Sequence, residues 1–297
     1  MKSETLLQRA KDAGFSLAAV SANRFNVEAC HSLLAVGLVY GNVFDNEDEG
    51  EPPAIPAIIA PFARRNYYRA AVQKLQHLAG VLRGECGGTR ADYRIYCNSQ
   101  ALDERRIAFE SGLADIGRNT LLLTREYGSL FVVGILTLPF ALEAGTEGRD
   151  RAPGQPPERK PFALCAGCGP DNPPCKRACP TGAVSGDGRI EKERCIQWYL
   201  SGRETIIPAA IKKHWGNRLY GCTLCQDACV YHKKPIHGID CTIGVLPAVM
   251  DARKIADASA EELKRTFHGT ALGLSWLCPD VLRRNAEMCL GRLPPKR

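Results

Sequence analysis

Long apolar runs are missing from this sequence of 297 residues. The longest, residues 129–142, is shorter than a bilayer span and is interrupted by Pro139, so no membrane-crossing helix is expected. The opening Met-Lys-Ser-Glu-Thr-Leu-Leu-Gln-Arg-Ala carries an acid and no apolar core, which reads as neither a Sec nor a twin-arginine signal. The expectation is a cytoplasmic monomer with no membrane contact. Phosphate-cradling loops of the Walker or dinucleotide type are absent, which argues against a nucleotide as the bound cofactor. No repeat of solenoid period runs through the chain, which excludes a helical array.

Cysteine, by contrast, is abundant: fourteen residues, eight of them between positions 165 and 229. One group reads Cys165-Ala-Gly-Cys168, then Cys175-Lys-Arg-Ala-Cys179-Pro180. The other reads Cys195 alone, then Gly221-Cys222-Thr-Leu-Cys225-Gln-Asp-Ala-Cys229. These C-x2-C and C-x3-C spacings let thiolates converge on an inorganic core, and two-cluster ferredoxins send the last cysteine of each run to the other cluster. That exchange rule puts Cys165, Cys168 and Cys175 with Cys229, and Cys222 and Cys225 with Cys179 and Cys195. Two [4Fe-4S] clusters use all eight. A pair of four-cysteine zinc sites is the competing reading, because C-x2-C pairs are also zinc knuckles; Pro180 and the C-x2-C-x3-C shape of the second run favour iron-sulfur. Disulfides are disfavoured in a reducing compartment. The formal charge of +7 counts cysteine as neutral, and two clusters with their thiolates, at about −2 to −3 each, offset most of it. Charge alone therefore gives no argument for nucleic-acid binding.

Helical and strand patterns alternate in the first half. Residues 4–13 have helical spacing and a glycine stop at Gly14, residues 34–40 form an apolar run of strand length, and residues 67–84 are amphipathic with Leu75, Leu78, Val81 and Leu82 on one face. Residues 94–97 suggest a strand, 102–111 a helix stopping at Gly112, and 130–137 a buried central strand. Residues 45–51 with Pro52 and Pro53 read as a solvated acidic loop, and 146–161 as a linker. Short helical stretches follow Cys229. The expected class is α+β: an N-terminal α/β domain over 1–152, a ferredoxin-like double-cluster module over 153–240 and a helical segment over 241–297 packing on both.

Read in order, these segments resemble the epoxyqueuosine reductase family, cobalamin-dependent iron-sulfur enzymes that share their architecture with reductive dehalogenases. Ala63-Arg-Arg-Asn-Tyr67-Tyr68 is similar to the family's Ala-Arg-Gly-Arg-Asp-Tyr-His segment, one residue shorter. Ser111-Gly-Leu-Ala-Asp-Ile-Gly117-Arg-Asn119-Thr120 is similar to its Ala-Gly-Leu-Gly-Trp-Ile-Gly-Lys-Asn-Thr block, and Tyr127-Gly128-Ser129 continues the match. Arg194-Cys195-Ile, the 217–226 stretch and Leu282-Arg-Arg284-Asn285-Ala286 complete the set. The resemblance implies a corrinoid held base-off between the N-terminal domain and the cluster module, with the clusters delivering single electrons to cobalt for a two-electron reduction. It makes the N-terminal domain cobalamin-binding-like, with Arg64, Arg65, Tyr67, Asn98, Asn119 and Thr120 as candidate cofactor contacts.

Several positions depart from the family pattern. Asn98 stands where the resemblance places a proton-donor aspartate, and an amide orients a substrate oxygen but is no general acid near neutral pH. Asp103 and Glu104, a little further along, are the candidate substitutes for that role, with solvated helix-start residues as the competing reading. Asp115 replaces a tryptophan, Tyr68 a histidine and Val230 a proline, and six residues rather than two separate Cys168 from Cys175. A helical-repeat extension beyond Asn285 is not expected, which weakens the case for tRNA as substrate. The reading is an iron-sulfur oxidoreductase of the epoxyqueuosine reductase-like group, a paralogue acting on a small or nucleoside-like substrate. The alternative is an electron-transfer or corrinoid-reactivating protein with no substrate of its own.

Other residues carry plainer expectations. Cys30, Cys86, Cys97, Cys241, Cys278 and Cys289 are read as small buried hydrophobes. Trp198, Trp215 and Tyr220 are expected to pack around the second cluster and exclude water from it. His214, His232 and His237 are read as surface or capping residues. Lys212, Lys213, Lys233 and Lys234 offer a basic face for an acidic electron donor of ferredoxin or flavodoxin type.

Overall fold

The computed structural model describes residues 1–28, 30–43, 53–99, 101–142, 160–169, 171–202, 204 and 206–291. The expected acidic loop at 45–51 and most of the expected linker at 146–161 lie outside the described residues. The chain packs into two compact units: one gathers Met1–Tyr40, Tyr68–Gly117 and Leu122–Leu164, the other Gly41–Tyr67, Arg118–Leu121 and the chain from Cys165 onward. The division therefore differs from three consecutive stretches. Its physical cause is strand pairing. Pro56–Ile59 joins a sheet with Arg218–Tyr220, in parallel, and with Val249–Asp251, antiparallel, so residues far ahead of the cysteines belong with them.

The first unit is built on a four-stranded sheet ordered Leu17–Ala22, Ser32–Val39, Phe131–Leu138, Ile95–Tyr96. Every pairing in it is antiparallel, so of the α/β and α+β classes that the alternation allows, the unit is α+β. Ser32–Val39 and Phe131–Leu138 are buried nearly throughout, as expected of apolar central strands. The helix Tyr67–Cys86, all but its first residue in this unit, buries Leu75, Leu78 and Leu82. Gly134 makes its approach possible: a Cβ there would lie 2.7 Å from the Leu75 Cδ1. The helix Glu104–Glu110 starts at Asp103, whose carboxylate accepts the Arg106 N–H, and ends before Gly112 at φ +87°.

The second unit has its own core, in which Leu219, Ile255, Leu263, Phe267, Leu282 and Ala286 are buried together. A separate apolar cluster of Ile196, Tyr199, Leu200, Ile207, Ile211 and Trp215 packs with Cys222 and Cys289. The last described helix, Pro279–Cys289, lies on the elements of this unit through two polar residues. Asn285, fully buried, donates from Nδ2 to the carbonyls of Leu200 and Leu219 at 2.9 Å each. The Arg284 guanidinium donates to the Asn285 Oδ1 and to the carbonyls of Gly202, Glu204 and Tyr199. The Leu-Arg-Arg-Asn-Ala segment is thus a structural staple.

Candidate iron-sulfur site

Short helical turns present the eight cysteines. Cys165 and Cys168 lie on the 3-10 turn Ala163–Cys168, Cys175 on Pro174–Arg177, Cys195 at the start of Ile196–Ser201 and Cys225 on Leu224–Asp227. Gly221, at φ +98° with Ala60 and Phe62 against its α-carbon, turns the chain out of strand Arg218–Tyr220 into Cys222.

Burial and neighbouring thiols raise several of these cysteines. Burial pushes the Cys175 thiol up, and negative charge on Cys165 and Cys229 adds to it; burial likewise raises Cys229, with Cys165 and Cys168 as its charged neighbours. Cys222 is raised by burial and by Cys195 and Cys179. Cys225 is pushed up to about 12, by burial first and then by Cys222, Cys195, Cys179 and Cys175. Most of these neighbours fall within the groups that the exchange rule gives, while Cys175 acts on Cys225 across them. Iron must displace protons from such thiols on binding. A cubane core spreads four thiolates around four irons, whereas a zinc ion draws them to one point.

Residues that the motif reading passed over hold this frame. The Gln197 Oε1, two residues beyond Cys195, accepts the Cys222 N–H at 2.9 Å and ties the Cys195 segment to the second cysteine run. The Asn119 Nδ2 donates to the Cys225 carbonyl at 3.2 Å, and Arg118 to the Gly186 carbonyl at 2.9 Å, which explains why residues 118–121 belong to this unit. Nothing in a cysteine pattern signals these partners.

The remaining candidates fall in both units. Arg64 and Arg65, each 6% exposed, and Tyr67 lie in the second unit with Asn119 and Thr120. The Arg65 guanidinium donates to the Arg64 and Leu246 carbonyls. Burial, then negative charge on Cys241, pushes the Tyr67 phenol up to about 12 against the opposing pull of Arg65 and Arg64. Thr120 has left-handed backbone, φ +68°, an uncommon conformation for a β-branched residue.

Asn98 belongs to the first unit and also has a left-handed backbone, φ +55°. Its N–H and that of Ser99 donate to the two oxygens of Glu104 at 2.8 and 2.6 Å. Glu104 is therefore engaged as an acceptor, while burial holds its carboxyl above the usual glutamate range. Asp103 is used as a helix cap. Cys97 is packed, its thiol donating to the Val133 carbonyl at 3.2 Å and pushed up to about 12 by burial. The Asp115 carboxylate is buried and accepts the Ile116 and Leu164 N–H groups at 2.8 and 2.7 Å, which gives this departure from the family pattern a structural use.

Three expectations need correction. Trp198 is 41% exposed, with the Lys192 ammonium 5.4 Å from its ring centre, and so does not shield a cluster as Trp215 can. His232 is buried, and burial lowers its pKa. Cys86 is exposed rather than packed.

Comparison with known proteins agrees with this geometry. Residues 164–232 match a family described as a 4Fe-4S double cluster binding domain, which assigns two [4Fe-4S] clusters to this stretch. The chain is 30% identical over 221 residues to the epoxyqueuosine reductase of Burkholderia pseudomallei, covering 73% of this chain and 51% of that protein. The chain spans about half the length of curated relatives such as this one. The structure of epoxyqueuosine reductase from Streptococcus thermophilus superposes with a TM-score of 0.77 at 20% identity, over 97% of this chain and 80% of that one. A second epoxyqueuosine reductase, solved with an epoxyqueuosine-modified tRNA stem loop, superposes with a TM-score of 0.71 at 21% identity, over 98% and 81%. In sequence and in fold, this chain is a relative of the epoxyqueuosine reductases.

Proposed function

We propose that the chain is a cobalamin-dependent iron-sulfur oxidoreductase that reduces a small or nucleoside-like substrate. Cys165, Cys168, Cys175 and Cys229 hold one cluster, and Cys179, Cys195, Cys222 and Cys225 the other. The observation that carries this reading is the match of residues 164–232 to a 4Fe-4S double cluster binding domain; the charge couplings of Cys229 with Cys165 and Cys168, and of Cys222 with Cys195 and Cys179, support the exchange of Cys179 and Cys229. Such an exchange brings the two cores close enough for an electron relay.

A relay needs an acceptor, and the chain has no nucleotide motif to bind one. Arg64 and Tyr67 suit a corrinoid as that acceptor, because guanidinium and phenol groups complement its amides and phosphate, while Arg65 and Asn66 beside them brace the backbone through the Arg64, Leu246 and Gly269 carbonyls. Asn119 and Thr120 follow as further contacts from the second unit. When bound, the corrinoid supplies the two-electron chemistry. The protein's share is to deliver electrons one at a time, orient the substrate and exclude water.

Asn98 orients a substrate oxygen by its amide, and the proton comes from solvent, since Glu104 is committed to main-chain N–H groups. An acidic carrier of ferredoxin or flavodoxin type supplies the electrons, drawn to exposed Lys213, Lys233 and Lys234. The tRNA stem loop bound by a relative makes a modified nucleoside the substrate class to try first. Reduced, cofactor-loaded protein should be incubated with an epoxide-bearing nucleoside, free and within a stem loop, and the product weighed. Loss of one oxygen supports reduction and shows which form is used; no loss with either form removes an epoxide from the reading.

A further inference from the structure

We propose that Thr181 tunes the reduction potential of the cluster that Cys179 enters, by donating a hydrogen bond to the Cys179 sulfur. This rests on the two-quartet reading above.

Cys179 and Cys229 are the two cysteines that cross between quartets, and each ends a C-x3-C run. Their sulfurs meet different surroundings. After Cys179 the chain reads Pro180-Thr181-Gly182-Ala183-Val184 and folds back on itself, with Gly182 at φ +65° and its N–H on the Cys179 carbonyl at 3.1 Å. The returning turn points the N–H groups of Thr181, Ala183 and Val184 at the Cys179 sulfur, and the Thr181 hydroxyl lies 3.5 Å from it. After Cys229 the chain reads Val230-Tyr231-His232 and enters a 3-10 turn, and the sulfur has the Tyr231 N–H as its donor.

A free thiol could be either partner of the Thr181 hydroxyl. An iron-bound sulfur carries no proton, so in the cluster the hydroxyl must donate. Thr181 is buried, and its carbonyl is fixed by the Arg194 Nε at 2.8 Å, which holds the turn in place. Hydrogen bonds to cluster sulfurs favour the more negative, reduced form and raise the potential. The partial burial of Cys222 and Cys225, which raises both thiols, acts on the same cluster in the opposite sense, because it disfavours added negative charge. The potential of the unaltered protein therefore mixes both effects. The difference made by one hydroxyl does not.

Thr181→Val removes the hydroxyl, keeps the shape and leaves the three backbone donors. EPR-monitored redox titration of the two-cluster protein should show one cluster harder to reduce by roughly threefold to tenfold in its one-electron equilibrium, about 28–59 mV at 59 mV per decade. The other cluster should not move, and Thr181→Ser should behave as the unaltered protein. Equal shifts in both clusters, no shift, or a serine variant that behaves like the valine one would overturn the proposal. Should the valine variant fail to assemble, proton ENDOR on the reduced unaltered protein decides: a rapidly exchanging hydroxyl proton coupled to one cluster supports the hydrogen bond, and its absence refutes it. Fewer than two cubanes in the unaltered protein would instead refute the quartets beneath it.

Discussion

Replacing Asn285 with alanine should destabilise the second unit and release the cluster of Cys179, Cys195, Cys222 and Cys225 before the other. The Asn285 amide donates to Leu200, on the helix that follows Cys195, and to Leu219, on the strand that leads to Cys222. Alanine would leave both buried carbonyls without that donor. A buried polar group left unsatisfied costs about 1–3 kcal/mol, so the two together cost about 2–6 kcal/mol, and the Arg284 donors to the Asn285 Oδ1 add to the loss. Against a total stability of roughly 5–15 kcal/mol this is a large fraction. At about 2–4 °C per kcal/mol for a unit of this size, melting should fall by at least about 4 °C. Asn285→Asp should be no milder, since it sets a carboxylate oxygen against the two carbonyls. Anaerobic thermal melts followed by cluster absorbance and by iron release read both quantities. A loss below about 1 kcal/mol, where exposed polar changes lie, or earlier release of the Cys165 quartet, would refute the reasoning.

Three further outcomes are expected. Cys195→Ala should remove one cluster and spare the other, seen as a halving of iron content; loss of both would contradict the assignment or show that each site is needed for folding. Burial holds the Glu104 carboxyl above its ordinary value of 4.5, so the folded state favours its protonated form, and the contribution of this group to stability falls as pH rises through and above that value. Glu104→Gln should remove that part of the pH dependence and speed hydrogen exchange at Asn98 and Ser99; unchanged exchange would mean that the carboxylate is not their anchor. Asn98→Asp should raise epoxide reduction if the surrounding pocket is otherwise competent, and no gain would show divergence beyond that residue.

The double-cluster module was the most legible part of the sequence, because a cluster demands a fixed donor at a fixed spacing, and residues 164–232 match such a domain. Apolar patterning located Ser32–Val39, Phe131–Leu138 and the helix Tyr67–Cys86 to within a few residues. It passed over Leu17–Ala22, an edge strand of partly buried residues with weaker contrast. The division into two compact units departs from three consecutive stretches because Pro56–Ile59, too short to announce its partner, pairs with Arg218–Tyr220, more than 150 positions on. Gln197, Asn119 and Asn285 act through main-chain carbonyls and N–H groups, and such bonds leave no spacing rule to read. Trp198 illustrates the converse, since an aromatic residue three positions from a ligand invites a shielding role that its exposure denies.

The central claim is a two-cluster relay feeding a corrinoid, and a cobalamin titration of anaerobically reconstituted protein tests it most directly, with iron counted and the visible and EPR spectra followed. The account predicts about eight irons per chain and a stoichiometric base-off complex. Intact clusters with no corrinoid bound would contradict the enzyme and leave an electron-transfer protein, and tightly bound zinc in place of iron would contradict the relay itself.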